Sequence, residues 1–416
     1  MKQKNKQPKL RFPQFDGDWE EVTFNAAYQF KKTNSFSRAM LNSHHGVVKN
    51  IHYGDIHTKF SALLDISKEK LPFVKTSIDL SKIGADNYCQ NQDLAIADAS
   101  ENYDDIGKAT EICNIGNTKV LSGLHTFLAR PNKKLIASGF GGIFMQSESI
   151  RYQIKIEAQG TKVLGISTKR LGSIQLHLPS LAEQEKIADF FSTLDAYLGQ
   201  KKQRLALLQE YKRGMMQQLF SGQKRFQPDA GGEFPAWEWV AAKNIFKNHS
   251  NKNHNGELPI VAVTQDQGVV LRDSLEKTIH TSQASVQSYK IVEPGDFVIS
   301  LRSFQGGLEH SDVKGICSPA YTILKPKVAI DSNFFKHYFK KERFIRRLSS
   351  AVIGIRDGKQ ISYSAFSAIK IPLPSIAEQK KIAEFLEAID DRIKLVEQSV
   401  AQLESWKKGL LQELLV

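Results

Sequence analysis

The chain has 416 residues, 57 of them Lys or Arg against 44 Asp or Glu, and a formal net charge of +13. That length supports two or three domains with their own cores, and the charge points to a polyanion, for which nucleic acid and a membrane surface both qualify. No apolar run reaches spanning length and the basic stretch Met1 to Arg11 is not followed by a signal-peptide core. Membrane insertion and export are therefore not expected, and a soluble, cytoplasmic protein is. Cys89, Cys113 and Cys317 are scattered and never form a C-x-x-C pair, which argues against a disulfide framework or a thiolate metal site.

In chain order, a polar leader gives way to Arg11-Phe12-Pro13 and then Trp19-Glu20-Glu21-Val22. Ile51 to Ile56 reads as a strand; His52, Asp55 and His57 lie within or beside it but lack a fourth ligand candidate, so no metal is expected. Gln92 to Ser100 reads as a second strand-rich stretch. A long helix is expected over 176–222. After the turn-rich linker Gln223 to Glu233, the order aromatic, Trp-Glu-x-Val returns at Phe234 to Val240, so the chain restarts. Leu258 to Val263 reads as a strand, Gly295 to Ser303 parallels Gln92 to Ser100, and Asn333 to Ser349 reads as a basic helix. A second long helix is expected over 371–416.

The two long helices are copies. Pro179 and Pro374, Phe190 and Phe385, Asp195 and Asp390, and Gly214 and Gly409 are each 195 residues apart. Ser180 with Glu183, and Ser375 with Glu378, spell a capping box. Behind them Ile187, Phe191, Leu194, Leu198, Leu205 and Leu208 form a heptad seam, matched by Ile382, Leu386, Ile389, Ile393, Val400 and Leu403. Each seam needs an apolar partner of its own length, and the other copy supplies one. Lys201, Lys212 and Lys407 interrupt the seams; snorkelling of their ammonium groups is the expected outcome, and fixing of register the alternative. The fold class that follows is mixed α/β (α+β): two similar globular domains separated by two long helices pairing as an antiparallel coiled coil, with a pseudo-two-fold internal repeat.

Catalytic patterns are missing. There is no Pro-Pro pair of the kind a nucleobase-amine methyltransferase motif carries, and Gly354 to Lys359 is one residue short of a phosphate loop. Glu378-Gln379-Lys380 has a nuclease-like spelling, but the carboxylate belongs to the expected capping box.

The repeated P-S-[LI]-A-E-Q-x-K-I-A-x-F running into a heptad helix, twice, resembles the specificity subunit of type I restriction-modification systems. Gly295 to Ser303 with Gln305-Gly306-Gly307, and Tyr53 to Phe60, are similar to target-recognition domains of that family. The resemblance covers essentially the whole chain and makes 1–175 and 223–370 target-recognition domains, with 176–222 and 371–416 as spacer helices. It implies a non-catalytic subunit that reads one half of a bipartite double-stranded DNA target with each domain and docks two methylation subunits. It also implies motor-nuclease subunits in the full complex. S-adenosylmethionine, ATP and magnesium are then expected on those partners and no cofactor on this chain.

Two similar basic modules on paired helices suit the two-fold symmetry of duplex DNA. Candidate readers are Lys59, Ser100, Lys162 and Lys169 in the first half, then Arg302, Ser303, Gln305, Arg356 and Lys359 in the second; Arg suits guanine and Gln suits adenine. Arg302 falls opposite Ala99, so the halves should read different bases. The rival readings are a coiled-coil structural adaptor with incidental charge and a stand-alone DNA-binding nuclease. Neither needs two divergent basic modules.

Overall fold

A computed structural model describes residues 7–265, 267–275, 286–350 and 361–415. The chain divides into two compact units, Met1–Lys202 with Ser399–Val416, and Gln203–Gln398.

In the first unit the strand Glu20–Thr23, the one-turn helix Phe24–Ala27 and the strand Tyr28–Lys31 follow one another without a loop. Thr23 starts that turn by accepting the Ala26 N–H at 3.3 Å. The strand Glu20–Thr23 pairs antiparallel with Gln175–Leu178, Glu20 opposite Leu178, so the beginning and end of the domain are clasped just before the long helix. A five-stranded sheet has the order Tyr28–Lys31, Thr126–Pro131, Leu94–Ala97, Ala109–Cys113 and Leu63–Asp65. Its core gathers Trp19, Phe24, Phe140, Ile150 and Phe191 together with Leu414 and Leu415 from the end of the chain.

The second unit repeats this plan. Glu238–Ala241, Ala242–Ile245 and Phe246–His249 are again strand, turn of helix, strand, each 218 residues after its counterpart. Glu238 lies opposite Leu373 in the clasp to Lys370–Leu373. The sheet order is Phe246–His249, Thr322–Pro326, Phe297–Ile299 and Glu309–His310, so its first three positions match those of the first unit. This core is rich in Phe: Phe246, Phe297, Phe335, Phe339, Phe344 and Phe366 are all buried, with Phe297 and Phe339 edge to face at 5.1 Å. The fold is mixed α/β with a doubled domain, as the sequence leads one to expect.

Two local expectations fail. Ile51 to Ile56 is not one strand: the strand ends at Ile51, and His52 Nδ1 accepts the Gly54 N–H at 3.2 Å to start the helix Tyr53–Thr58. Asn333 to Ser349 is not one helix. It breaks into Ser332–Tyr338 and Glu342–Ser350 through a tightened turn, in which the N–H groups of Lys340 and Lys341 bond the carbonyls three residues back. The break lets Phe339 and Phe344 enter the same core, 4.8 Å apart, and Gly307 packs on it; a Cβ there would lie 2.1 Å from the Phe339 carbonyl oxygen.

The long helices span Leu181–Ser221 and Ile376–Leu414, and each is shared between the units. Ser180 Oγ accepts the Glu183 N–H at 3.3 Å and Ser375 Oγ that of Glu378 at 3.4 Å, which is half of each expected capping box. The carboxylates do not return the bond. Glu183 instead takes Arg11 bidentately at 2.8 and 2.7 Å, and Glu378 takes Arg225 at 2.9 and 2.8 Å and Trp237 Nε1 at 2.9 Å. The neighbouring glutamines are buried and stitch each helix to its domain. Gln184 donates to the carbonyls of Pro179 and Leu135 and accepts the Ala137 N–H; Gln379 donates to Pro374 and accepts the Asp331 N–H.

Within each unit the helices run antiparallel. In the first, Lys407 reaches Asp195 at 2.5 Å and Lys202 reaches Glu404 at 2.7 Å; in the second, Lys212 reaches Asp390 at 2.5 Å and Gln209 reaches Glu397 at 3.3 Å. Asp195–Lys407 and Asp390–Lys212 are one ion pair with the roles of the two copies exchanged, because each residue lies 195 from its equivalent. Lys212 and Lys407 therefore reach across to the other helix rather than snorkel, whereas the Lys201 ammonium lies 5.0 Å from the centroid of the Tyr197 ring on its own helix. Ile187, Phe191, Leu194, Leu198, Ile382, Leu386, Ile389 and Ile393 are buried, while Leu205, Leu208, Val400 and Leu403 are half-buried.

Candidate nucleic-acid interface

In the first unit Ser100, Lys162 and Lys169 lie on segments joined beyond the C-terminal end of the strand Leu94–Ala97, and Lys59 lies at the end of a separate helix. Ser100 pairs with Leu164, which brings the exposed turn holding Lys162 beside the loop after Ser100. The Ile166 N–H bonds the Asp98 carbonyl at 3.0 Å and leads into the helix Thr168–Gly172, where Lys169 is exposed. The helix Tyr53–Thr58 adjoins the same loop because Lys108 Nζ bonds the His57 carbonyl oxygen and lies 3.5 Å from Asp105. Tyr53 stacks its edges on His57 and His125, and His125 lies 3.3 Å from Asp98.

Lys59 sits at the end of that helix, its ammonium 2.9 Å from the buried Asp55, which also holds Arg38 at 2.7 Å. Burial alone would raise the Asp55 carboxyl, but Arg38 and Lys59 outweigh it and hold it below the ordinary carboxylate range. An anion approaching here meets two cations already anchored by one carboxylate. Ser100 is different: it is buried and its hydroxyl accepts the Asn102 N–H at 3.2 Å, so it shapes the loop from inside.

The second unit presents its candidates past the equivalent strand, Phe297–Ile299. The chain turns there into the short helix Ser303–Gly306, held by Ser303 Oγ accepting the Ser300 N–H at 2.9 Å. Ser303 is buried and, like Ser100, structural in position, whereas Arg302 and Gln305 are exposed. Arg302 lines an open cleft of about 440 Å³ with Thr264, Gln265, Ser300, Leu301 and Tyr321. Burial pushes the Tyr321 hydroxyl up, with the Arg302 charge acting against it. Arg356 and Lys359 fall outside the described residues.

A residue that the sequence does not single out holds this loop in place. Lys340 Nζ donates to the carbonyls of Gln265 at 3.0 Å and Gly306 at 3.1 Å and is gripped by Glu309 at 2.6 and 2.7 Å. It joins the turn of the hairpin Val261–Thr264 and Gly268–Leu271 to the end of the Arg302-bearing turn. The break in the basic helix is what points Lys340 there, and nothing in the spacing of that stretch announces it.

Among the described residues no helix is long and apolar enough to cross a membrane, and no group of three or more His, Cys, Asp or Glu could hold a metal.

Comparison with known proteins agrees with this architecture. The chain is 28% identical over 315 residues to the putative type I restriction enzyme MjaX specificity subunit of Methanocaldococcus jannaschii, covering 71% of each. It is 29% identical over 284 residues to the type I restriction enzyme MjaVIII specificity subunit of the same organism, covering 63% of this chain and 66% of the relative. The fold is similar to a crystal structure of the type I restriction-modification S subunit from M. genitalium, with a TM-score of 0.58 at 14% identity over 99% of both chains. The family described as type I restriction modification DNA specificity domain matches twice, over residues 48–210 and 238–405, one match for each copy of the repeat. The doubled domain, the doubled helix and this doubled match leave one conclusion: the chain belongs to the type I restriction-modification DNA specificity family.

Proposed function

We propose that this chain reads a bipartite sequence on double-stranded DNA, one half per globular domain, and performs no chemistry itself. What supports this is that each unit carries exposed cations on a surface of its own sequence: Lys162 on the turn paired to the segment after Leu94–Ala97 in the first, and Arg302 with the Gln305 amide past the equivalent strand Phe297–Ile299 in the second. Lys59, Lys162 and Lys169 serve the first domain; Arg302 and Gln305 serve the second. The Arg302 guanidinium suits guanine O6 and N7, and the Gln305 amide suits adenine. In this reading 1–175 and 223–370 are the target-recognition domains, and 176–222 and 371–416 are spacer helices that dock two methylation subunits. Motor-nuclease subunits join the full complex, and S-adenosylmethionine, ATP and magnesium belong to these partners.

The test is Arg302→Ala in the complex reconstituted with its methylation subunits, read by sequencing the adenines modified in a randomised DNA library. Loss of a base contact relaxes one position of one half-sequence by about 1–3 kcal/mol; loss of a phosphate contact weakens all sequences evenly and lowers the salt slope by about one. Altered preference in both halves would overturn the assignment of one half to each domain.

A further inference from the structure

A second cationic cleft in the Gln203–Gln398 unit shares no lining residue with the Arg302 cleft, although the helix Glu342–Ser350 that carries two of its cations packs on the turn after Arg302. It has a volume of about 300 Å³ and is lined by Phe220, Trp239, Tyr338, Lys341, Arg343 and Arg347, with Ser221 and Phe344 completing the wall. The aromatic residues form a buried floor, except for Trp239, which is 48% exposed on the edge strand Glu238–Ala241.

Three cations converge on this floor, and among the described residues no carboxylate lines it. The nearest acid in sequence, Glu342, pairs with Arg346 at 3.4 Å instead. Lys341 Nζ lies 5.9 Å from the Phe220 ring centroid, and Arg347 donates to the Lys370 carbonyl at 3.3 Å, which fixes two of the three in place. Burial, then the Arg343 and Arg347 charges, push the Lys341 ammonium below the ordinary lysine range. Like charges that no carboxylate of the described residues pairs with store repulsion that a bound anion relieves. The repeat does not require the arrangement: Gln184 takes the Ala137 N–H as Gln379 takes that of Asp331, an offset of 194 that sets Ser147, Ser149 and Gln153 opposite Lys341, Arg343 and Arg347, and the Trp239 equivalent is Glu21.

We propose that this cleft is a phosphate-binding site, in which Lys341, Arg343 and Arg347 grip the phosphate oxygens and Trp239 closes one side. A phosphate presents three or more acceptor oxygens to converging donors and suits guanidinium forks. Its source is either the backbone of the bound duplex, which rests on the DNA-reading function above, or a free phosphorylated ligand, which does not.

The experiment uses the full chain and follows the indole N–H resonances of Trp19, Trp237, Trp239 and Trp406 during titration with inorganic pyrophosphate. Expected is a saturable shift of Trp239, weakened about tenfold or more in Arg343→Gln/Arg347→Gln, with the Trp19 and Trp406 resonances unmoved as a control on folding. In a parallel arm, duplex binding is measured against salt concentration. A slope lower by about two in the double variant assigns the site to DNA phosphates, and an unchanged slope with lost pyrophosphate binding assigns it to a free ligand. An unshifted Trp239, a shift retained in the double variant, or a shift caused by polyglutamate and not by pyrophosphate would each overturn the proposal. Absence of any duplex affinity in the unsubstituted chain counts against the DNA-reading function and leaves the pyrophosphate result readable.

Discussion

Glu111 lies within the strand Ala109–Cys113, 1% exposed, where its carboxylate accepts the N–H groups of Gly139 at 2.6 Å and Gly142 at 3.0 Å. Gly142 has to be glycine, because a Cβ would lie 2.1 Å from the Ala62 carbonyl oxygen. Burial raises the Glu111 carboxyl to about 7, with the backbone donors pulling the other way. An unfolded glutamate titrates near 4.5, so this group stabilises the fold most below that pH, and the contribution is lost as pH rises through about 7. By linkage the effect is about 3 kcal/mol. Urea denaturation at pH 5 and pH 8 should show Glu111→Gln losing less stability over that interval than the unsubstituted chain. His337 acts with the opposite sign: burial, then Lys212, lowers it to about 3, so its contribution is lost as pH falls from 6.5. Neither residue is legible in the sequence. An acid in an alternating strand reads as solvent-facing, and only the glycine turn that closes over it puts it inside.

At the scale of elements, the long helices were the most legible part of the chain. Their seams follow from heptad spacing, their starts from Ser180 and Ser375, and their kinship from a constant offset. The roles of polar residues were not legible, because a seam lysine can lie along the surface or cross to the partner helix, and the choice depends on what stands opposite. Lys212 and Lys407 cross because Asp390 and Asp195 face them. Partly exposed pairs of this kind contribute about 0.2–1 kcal/mol each. Asp195→Lys should destabilise the chain by about that amount or slightly more, through repulsion of Lys407, and Asp195→Lys/Lys407→Asp should recover most of the loss. A double-mutant cycle by chemical denaturation checks this, and a purely additive cycle would remove the pair from the account of helix register. The basic stretch Asn333 to Ser349 shows the opposite failure: its helical composition is real, yet the demand to bury both Phe339 and Phe344 splits it.

For the whole molecule, the repeat order of globular region and helix was readable. The purified chain is expected to transfer no methyl group from S-adenosylmethionine to DNA, and to support transfer once its methylation subunits are added. Incorporation of labelled methyl groups into DNA, measured with and without those subunits, decides this, and transfer by the chain alone would end the division of labour proposed above. What the sequence hid is how packing partitions the chain. Repeats suggest boundaries at 175/176, 222/223 and 370/371, a division into domains and spacer helices; by packing, the compact units also divide both helices midway, since each helix end buries its apolar residues in the domain beside it.

The first unit is therefore built from the two ends of the chain, and Leu414 and Leu415 are 3% and 4% exposed in its core. A ribosome emits residues 203–398 as one continuous run after the first domain, so the second unit has all of its residues before the first has its last eighteen, Ser399–Val416. Domains commonly fold in the order in which they emerge. Here the domain that starts first is completed last, and until those residues arrive the apolar surface they cover stays open to water and to chaperones.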